Sequence, residues 1–427
     1  MKISPSRIAA FEILAKIENE KSFSSVLLPF FEEKLEPKDR ALCHELTLGT
    51  LRKQIYLDRV IEKLTNGKKI DAAVKVILRI ALYQLIFLDK IPAHAAINDS
   101  VNLTQKAKKT SAKGFVNAVL RRFTRENVAL EFATELEKLA VETSHPQWLI
   151  EKWSAEFGFE ETAKLAAANN ETPRLSFRLT AKTSDATKNS LAAEDAAPDK
   201  KYLRELAENG KIYFQDAGSQ IVGNAVELSK DESFLDLCAA PGSKTTQIGF
   251  NSQAAGFKLL AAGDLYWNRV KILQENCRNQ GVENVSILQY DAENALPFAD
   301  ESFDVVLLDA PCSGTGTIRH NPEIRYFLEE KDFTELSDKQ LKILRHASKL
   351  IKRGGRLIYS TCSLENEENE MVCAKFAAEN PEFRSIRPKI AEKYLTAEGF
   401  ARTFPQNDEM DGFFIAVFEK IRFSDKV

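Results

Sequence analysis

Two cysteines stand where apolar, strand-like runs end. Cys312 follows Asp309-Ala310-Pro311, and Cys362 follows Ser360-Thr361. Neighbouring strands that end in this way bring both thiols to one cleft. The remaining four cysteines have a plainer setting. Cys43, Cys277 and Cys373 fall in helical stretches and read as small buried hydrophobes, while Cys238 reads as a packing residue whose backbone borders a ligand. A thiol held in a loop suits covalent catalysis, which divides one difficult step into easier ones. Carbon 5 of cytosine presents such a difficulty, because it is too poor a nucleophile to accept a methyl group directly. Thiolate addition at carbon 6 makes carbon 5 an enamine carbon. Methyl transfer follows, and loss of the carbon 5 proton expels the thiol. Asp309 is placed to stabilise the ring N3 of the protonated adduct.

Acids recur at the other strand ends. In an open α/β sheet, ligands sit beyond the carboxyl ends of the strands. FLDLCAAPGSKTT runs from a strand into a helix whose free N–H groups and small residues, Cys238, Ala239, Ala240, Pro241, Gly242 and Ser243, allow close approach of a ligand. Asp264 ends the next run, at the spacing of an acid that binds ribose hydroxyls, and Asp291 ends the third, beside the expected adenine edge. Asp309 ends the fourth. No G-x-x-x-x-G-K-[ST] loop is present to hold phosphates, so S-adenosylmethionine fits better than a nucleotide; NAD is the runner-up, without its G-x-G-x-x-G. Lys244 in the first turn of the helix opposes the helix dipole, which favours a contact to substrate or to Asp309. Glu365 to Glu370 suit a helix start near Cys362, and Arg319, Asn321 and Pro322 are candidates for touching RNA. Five scattered histidines, His44 and His94 among them, provide no metal site.

The elements that carry these residues alternate. From 233 onward SFLDLC, KLLAAGD, NVSILQYD, FDVVLLDAP and GGRLIYSTC alternate with helical stretches such as WNRVKILQENCRN and DFTELSDKQLKILRHASKLIKR, which predicts a parallel, doubly wound sheet over 231–427. The late run GFFIAVFEK is expected as an edge strand. Residues 1–128 differ: apolar residues recur at helical spacing, with Pro37, Asn66-Gly67 and Pro92 as punctuation, so an all-helical domain is expected. Residues 129–230 are mixed, with strand-like LSFRLT and KIYFQ around a polar, Ala-rich stretch at 183–200 that reads as loop or frayed helix.

Charge divides the 427-residue chain in the same place. Residues 1–125 hold 23 Lys and Arg against 13 Asp and Glu, whereas the remainder holds 36 against 49. Lys106, Lys108, Lys109, Lys113, Arg121, Arg122 and Arg125 cluster, as a polyanion-binding module requires, although solvated helix faces share this pattern. The 44% hydrophobic and 28% charged composition excludes a disordered chain, and charged residues interrupt every apolar run a membrane span would need. Six scattered cysteines without a C-x-x-C pair fit neither a disulfide scaffold nor a zinc site, so a reducing cytoplasm is the expected compartment.

At DLCAAPGSKT, DAPCSGTG, STCSLENEENE and DGFFIAVFEK the sequence resembles the RNA cytosine-C5 methyltransferases of the Sun/Nop family. RALCHELTLGTLR, IPAHAAINDSVNLTQK and GFVNAVLRRF resemble the NusB-type RNA-binding helical fold. The resemblance implies a NusB-like helical domain joined to a Rossmann-like, S-adenosylmethionine-dependent methyltransferase domain. It implies a monomer that acts on 16S rRNA, with no DNA or membrane partner. It makes Cys362 the nucleophile and Cys312 the product-release thiol, with Asp309 and Lys244 beside them. Cofactor contacts carry onto Cys238 to Lys244, Asp264, Asp291 and Asp309. Reversed cysteine roles, as in DNA cytosine methyltransferases, remain the mechanistic alternative. Action on tRNA or 23S rRNA, or a non-catalytic ribosome-assembly or antitermination role, remain the functional ones. Two departures stand out: Ser243 replaces the family's usual second glycine, and Gly218 stands where another residue is common. Ser at 243 is costly only if φ there is positive.

Overall fold

The computed structural model describes residues 3–422 except 186, 189, 190, 192–198, 253–255 and 257. The Ala-rich stretch expected as loop or frayed helix lies largely outside the described residues. The chain forms two compact units: Met1–Thr172 with Ile318–Leu328, and Pro173–Thr317 with Glu329–Val427. The break thus falls at Thr172, whereas the sequence patterning marked changes at 128 and 230.

The first unit is helical. Helices Pro5–Glu20, Ser24–Glu32, Pro37–Arg52, Gln54–Thr65, Ala72–Phe87, Ala93–Lys106 and Lys113–Phe123 bury one stripe each, and Ile13, Leu46, Leu57, Ile77, Ile80, Leu103 and Leu120 meet in a common core. The punctuation lies where the sequence placed it. Pro37 opens a helix at a position whose N–H needs no partner. Asn66 closes one in the left-handed region at φ 52°, and Pro92 precedes the next. Asp71 caps its helix by accepting from the N–H groups of Ala73 and Val74. Helices Glu135–Glu142, Gln147–Phe157 and Phe159–Ala168 complete the series, where the sequence suggested mixed structure.

An insertion from far along the chain belongs to this unit. Glu323 accepts from the N–H and hydroxyl of Ser24 at 2.6 and 3.0 Å, Arg52 donates to the Arg319 carbonyl at 3.1 Å, and the Tyr326 hydroxyl donates to the Leu51 carbonyl. Arg325, fully buried, donates to the carbonyls of Thr143, Ser144 and Asn169 and to Asn170 Oδ1. Arg319 and Pro322 are buried and Asn321 is half-buried, so of these three candidates for touching RNA only Asn321 keeps appreciable exposure.

In the second unit, β1 (Phe177–Leu179) and β2 (Ile212–Phe214) pair antiparallel. The main sheet uses β3 (Ser233–Asp236), β4 (Leu259–Asp264), β5 (Val285–Gln289), β6 (Phe303–Asp309), β7 (Ile351–Thr361), β8 (Phe383–Ile386), β9 (Ala401–Arg402) and β10 (Phe414–Lys420). Their order is β5-β4-β3-β6-β7-β10-β8, with β9 also on β10. Strands β3 to β7 are parallel, and β10 is antiparallel to its neighbours. Order reverses between β3 and β6, which is where such sheets bind ligands. Two expectations need correction. Strand β10 is interior, because Phe414 to Phe418 are buried on both faces, and β8, which sequence patterning did not reveal, takes the edge. The helix expected to run through Ile351-Lys352-Arg353 stops at Leu350, and these residues begin β7, whose edge-to-edge pairing with β6 outweighs their helical pattern.

Candidate active site

The site is built from strand ends. After β3 the chain passes through Leu237 to Gly242 into the helix Ser243–Ser252. Ala239 N–H donates to the Gly263 carbonyl at 2.8 Å, tying this loop to β4. Gly242 has φ +100°, and a Cβ there would lie 2.7 Å from Leu273 Cδ1, so only glycine fits. Ser243 is not among the positive-φ residues, which makes serine harmless at that position. Gly218 is the second residue of the helix Ala217–Ala225, where a Cβ would meet the Asp411 carbonyl at 2.6 Å, a close approach that explains its small size.

Parallel register sets the two cysteines side by side. Asp309 pairs with Ser360 across β6 and β7, and Ala310 N–H donates to the Ser360 carbonyl at 2.8 Å. Three residues beyond Asp309 and two beyond Ser360, Cys312 Sγ and Cys362 Sγ lie 3.3 Å apart. Asp309 is held from two sides: Lys244 Nζ donates to Oδ2 at 2.6 Å and Ser360 Oγ to Oδ1 at 2.7 Å. The contact expected of Lys244 is therefore present.

Both thiols, Asp309, Asp264 and Asp291 line one cavity of roughly 270 Å³, together with Cys238 and Ala240. Asp264 accepts from the Ala240 N–H at 3.1 Å and lies 3.5 Å from Arg269, which donates to the Ala240 carbonyl. Both oxygens of Asp291 are engaged by Glu293 N–H and Asn294 Nδ2. Ala239, Pro241, Gly242 and Ser243 lie on the same loop without lining this cavity. They set the path of the loop, and Lys244 acts on the cavity through Asp309. Tyr266, Arg269, Tyr290, Lys339 and Ile343 line it unforeseen. Tyr266 and Arg269 could have been suspected from their place just after Asp264.

Electrostatics distinguish the groups. The hydrogen bond to Cys362 and then burial push the Cys312 thiol well up, which favours its protonated form; either sulfur can be the donor in the 3.3 Å contact. Burial alone would lower the Lys244 ammonium, but the Asp309 carboxylate outweighs it and the net shift is upward. Lys244 also feels the charge of a Cys362 thiolate. Burial raises Cys238, helped by Asp264, Asp236 and Asp309, which leaves it a neutral packing thiol. Burial raises Asp236 at the end of β3 to about 7.

The acidic run Glu365 to Glu370 leads into a helix start near Cys362, as expected, but Glu365 and Glu368 point inward. Both are fully buried, and the residues ahead of the helix Glu370–Glu379 form a 3-10 turn.

A doubly wound sheet with acids along its carboxyl edge and two thiols at adjacent strand ends defines a methyltransferase domain of the nucleoside-cofactor type. Residues 224–419 match the 16S rRNA methyltransferase RsmB/F family, residues 4–125 the NusB family, and residues 145–215 the ferredoxin-like domain of RsmF/B-like methyltransferases. A Bacillus subtilis protein named probable ribosomal RNA small subunit methyltransferase B is 34% identical, over 98% of this chain and all of its own. Ribosomal RNA small subunit methyltransferase B of Pseudomonas putida is also 34% identical, over 97% of this chain and 98% of its own. The crystal structure of PH0851 superposes with a TM-score of 0.83 at 27% identity, covering 98% of this chain and all of that one. The chain therefore belongs to the 16S rRNA methyltransferase RsmB/F family.

Proposed function

We propose that this enzyme methylates carbon 5 of a cytosine in 16S rRNA through a covalent adduct with Cys362. The reading is carried by the 3.3 Å approach of Cys312 and Cys362 at the rim of a cavity that Asp309 also lines. S-adenosylmethionine is the cofactor, and it supplies an electrophilic methyl group when bound. The residues present fit it: a buried carboxylate, Asp264, faces the cavity where ribose hydroxyls need an acceptor, and no phosphate cradle competes. Asp291 suits the adenine edge.

The thiolate of Cys362 adds to carbon 6, and the enamine then takes the methyl group at carbon 5. Asp309, fixed by Lys244 and Ser360, accepts the hydrogen bond of the protonated N3. Asp309 then acts as the base and takes the carbon 5 proton; the C5–H electron pair forms the C5–C6 double bond, the carbon 6–sulfur bond breaks and its electron pair returns to Cys362. The Cys312 thiol donates to that sulfur, stabilising the departing thiolate and so assisting product release. Cys362 as nucleophile and Cys312 as the thiol that assists release follow the roles that the family resemblance implies for the T-C-S and P-C-S motifs.

No helix among the described residues is long and apolar enough to cross a membrane; the cytoplasmic location belongs to the reading as an enzyme of ribosomal RNA, supported by its relatives. Bisulfite sequencing of ribosomal RNA from cells with and without the gene tests the reading. One cytosine in 16S rRNA should lose its protection; protection lost only in tRNA or 23S rRNA would move the substrate, and none lost would reject cytosine chemistry. Cys312→Ala should accumulate a denaturation-resistant RNA–protein adduct.

A further inference from the structure

The two cysteines sit on separate loops, and one buried side chain joins those loops. Glu368 is fully buried and receives donors at both carboxylate oxygens. Oε2 accepts from the Ser313 N–H at 2.9 Å and from Gln340 Nε2 at 2.8 Å. Oε1 accepts from the Ser363 hydroxyl at 2.6 Å and from the Ser313 hydroxyl. Ser313 directly follows Cys312, and Ser363 directly follows Cys362. Their hydroxyls are themselves 3.0 Å apart. Four donors fill the four acceptor sites of an ionised carboxylate. Burial raises the carboxyl and these hydrogen bonds oppose it. Nothing in the chemistry of methyl transfer uses this group directly.

We propose that Glu368 is the positioning residue of the thiol pair, clamping the Cys312 and Cys362 loops to one carboxylate. The assignment rests on reading the two thiols as a working pair. Its negative charge also bears on Cys312, favouring the protonated form of that thiol. The two effects separate by substitution. Glu368→Ala removes clamp and charge. Glu368→Gln can turn its amide oxygen to Ser313 N–H and Gln340 and its NH2 to the two hydroxyls, so it keeps much of the clamp but none of the charge.

The test uses the full chain and a readout independent of RNA. Oxidised glutathione converts the two thiols to a disulfide and is itself reduced to two molecules of glutathione, so its redox titration reads the effective concentration of one thiol at the other. Glu368→Ala should lower that concentration by roughly tenfold or more, the loss expected when hydrogen bonds to a charged group are removed. S-adenosylmethionine affinity, measured by calorimetry, should stay within a few-fold and certifies the fold. Glu368→Gln should lower the effective concentration less. In both variants the pH profile of Cys312 alkylation by iodoacetamide should move to lower pH. Unchanged effective concentration in folded Glu368→Ala would overturn the clamp. If that variant does not bind cofactor, Ser363→Ala, which removes one strut, takes its place: a several-fold drop supports the clamp and no change rejects it. Absence of cytosine methylation in the wild type would reject the function above while leaving these thiol measurements to decide the clamp.

Discussion

Arg325 Nη1 donates to the Thr143 carbonyl at 3.1 Å across 182 residues of sequence. The guanidinium, fully buried, satisfies main-chain carbonyls and no carboxylate. With Glu323, Tyr326 and the Arg319 carbonyl, it holds the inserted segment Ile318–Leu328 in the helical unit.

Arg325→Met should therefore destabilise the protein strongly. Several carbonyls would be left buried and unpaired, at about 1–3 kcal/mol each before relaxation, so we expect a net loss of about 3–5 kcal/mol. Urea denaturation followed by circular dichroism measures it. Cofactor affinity should not change, since no residue of 318–328 lines the cavity. A loss under about 1 kcal/mol would show that the carbonyls find other donors.

Lys244→Met tests the ion pair with Asp309. The pair is buried on the lysine side, but Asp309 is 27% exposed, which discounts the cost to about 1–3 kcal/mol. The folded-state pKa of Lys244 is raised, so its contribution is fully present below the unfolded value near 10.5 and is lost as pH rises through the folded value. The stability difference between wild type and variant should be level from pH 7 to 9 and shrink only above about pH 10.5. A difference that declines already between pH 7 and 9 would contradict the pairing. Methyl transfer should fall at every pH, since Asp309 loses its orienting cation.

Asp264→Ala should weaken S-adenosylmethionine binding by about 1.5–3 kcal/mol, the scale of a charge-assisted hydrogen bond. Isothermal calorimetry on a folded variant decides it, and unchanged affinity would mean that another group holds the ribose.

Cys362→Ala should abolish methyl transfer and leave cofactor affinity within a few-fold, because the thiol reacts with the base. Robust turnover by this variant, with Cys312→Ala inactive, would reverse the two roles.

RNA affinity should depend on the exposed cations of the helical unit. Lys108, Lys113 and Arg125 are exposed, whereas Lys106 and Lys109 pair with Glu12 and Asp71. Replacing Lys108, Lys113 and Arg125 by alanine should reduce the slope of log affinity against log salt by roughly two. Filter binding across a salt series measures it; an equal slope would make the basic cluster a solvated surface. Substitution is a cleaner test than deleting residues 1–128, because deletion strips Ser24, Leu51 and Arg52 from the inserted segment that they hold.

Much of this protein was legible from local pattern. Helical periodicity with Pro37, Asn66 and Pro92 marked the helices, since caps and breakers act within a few residues. Strand–helix alternation marked the parallel sheet, and residue type at strand ends marked Cys312, Cys362, Asp264 and Asp309. What adjacent sequence could not settle was partner choice. Strand β10 looks like any apolar run until its neighbours on both sides are known. Ile351 continues a helical pattern and yet enters β7, because pairing with Phe303 is worth more there.

The chemistry of the site was thus marked by residue type and order alone: two thiols, their acids, and a loop of small residues from Cys238 to Ser243. Tertiary structure alone decided the rest. It set the 3.3 Å between the sulfurs, turned the acidic run at Glu368 inward to bind Ser313 and Ser363, and drew Arg325 into the helical unit. The register of β6 with β7 explains the first; for the two charged groups the physical reason is shared. A buried charge must be matched by hydrogen-bond partners, and those partners come from positions that chain order does not place together.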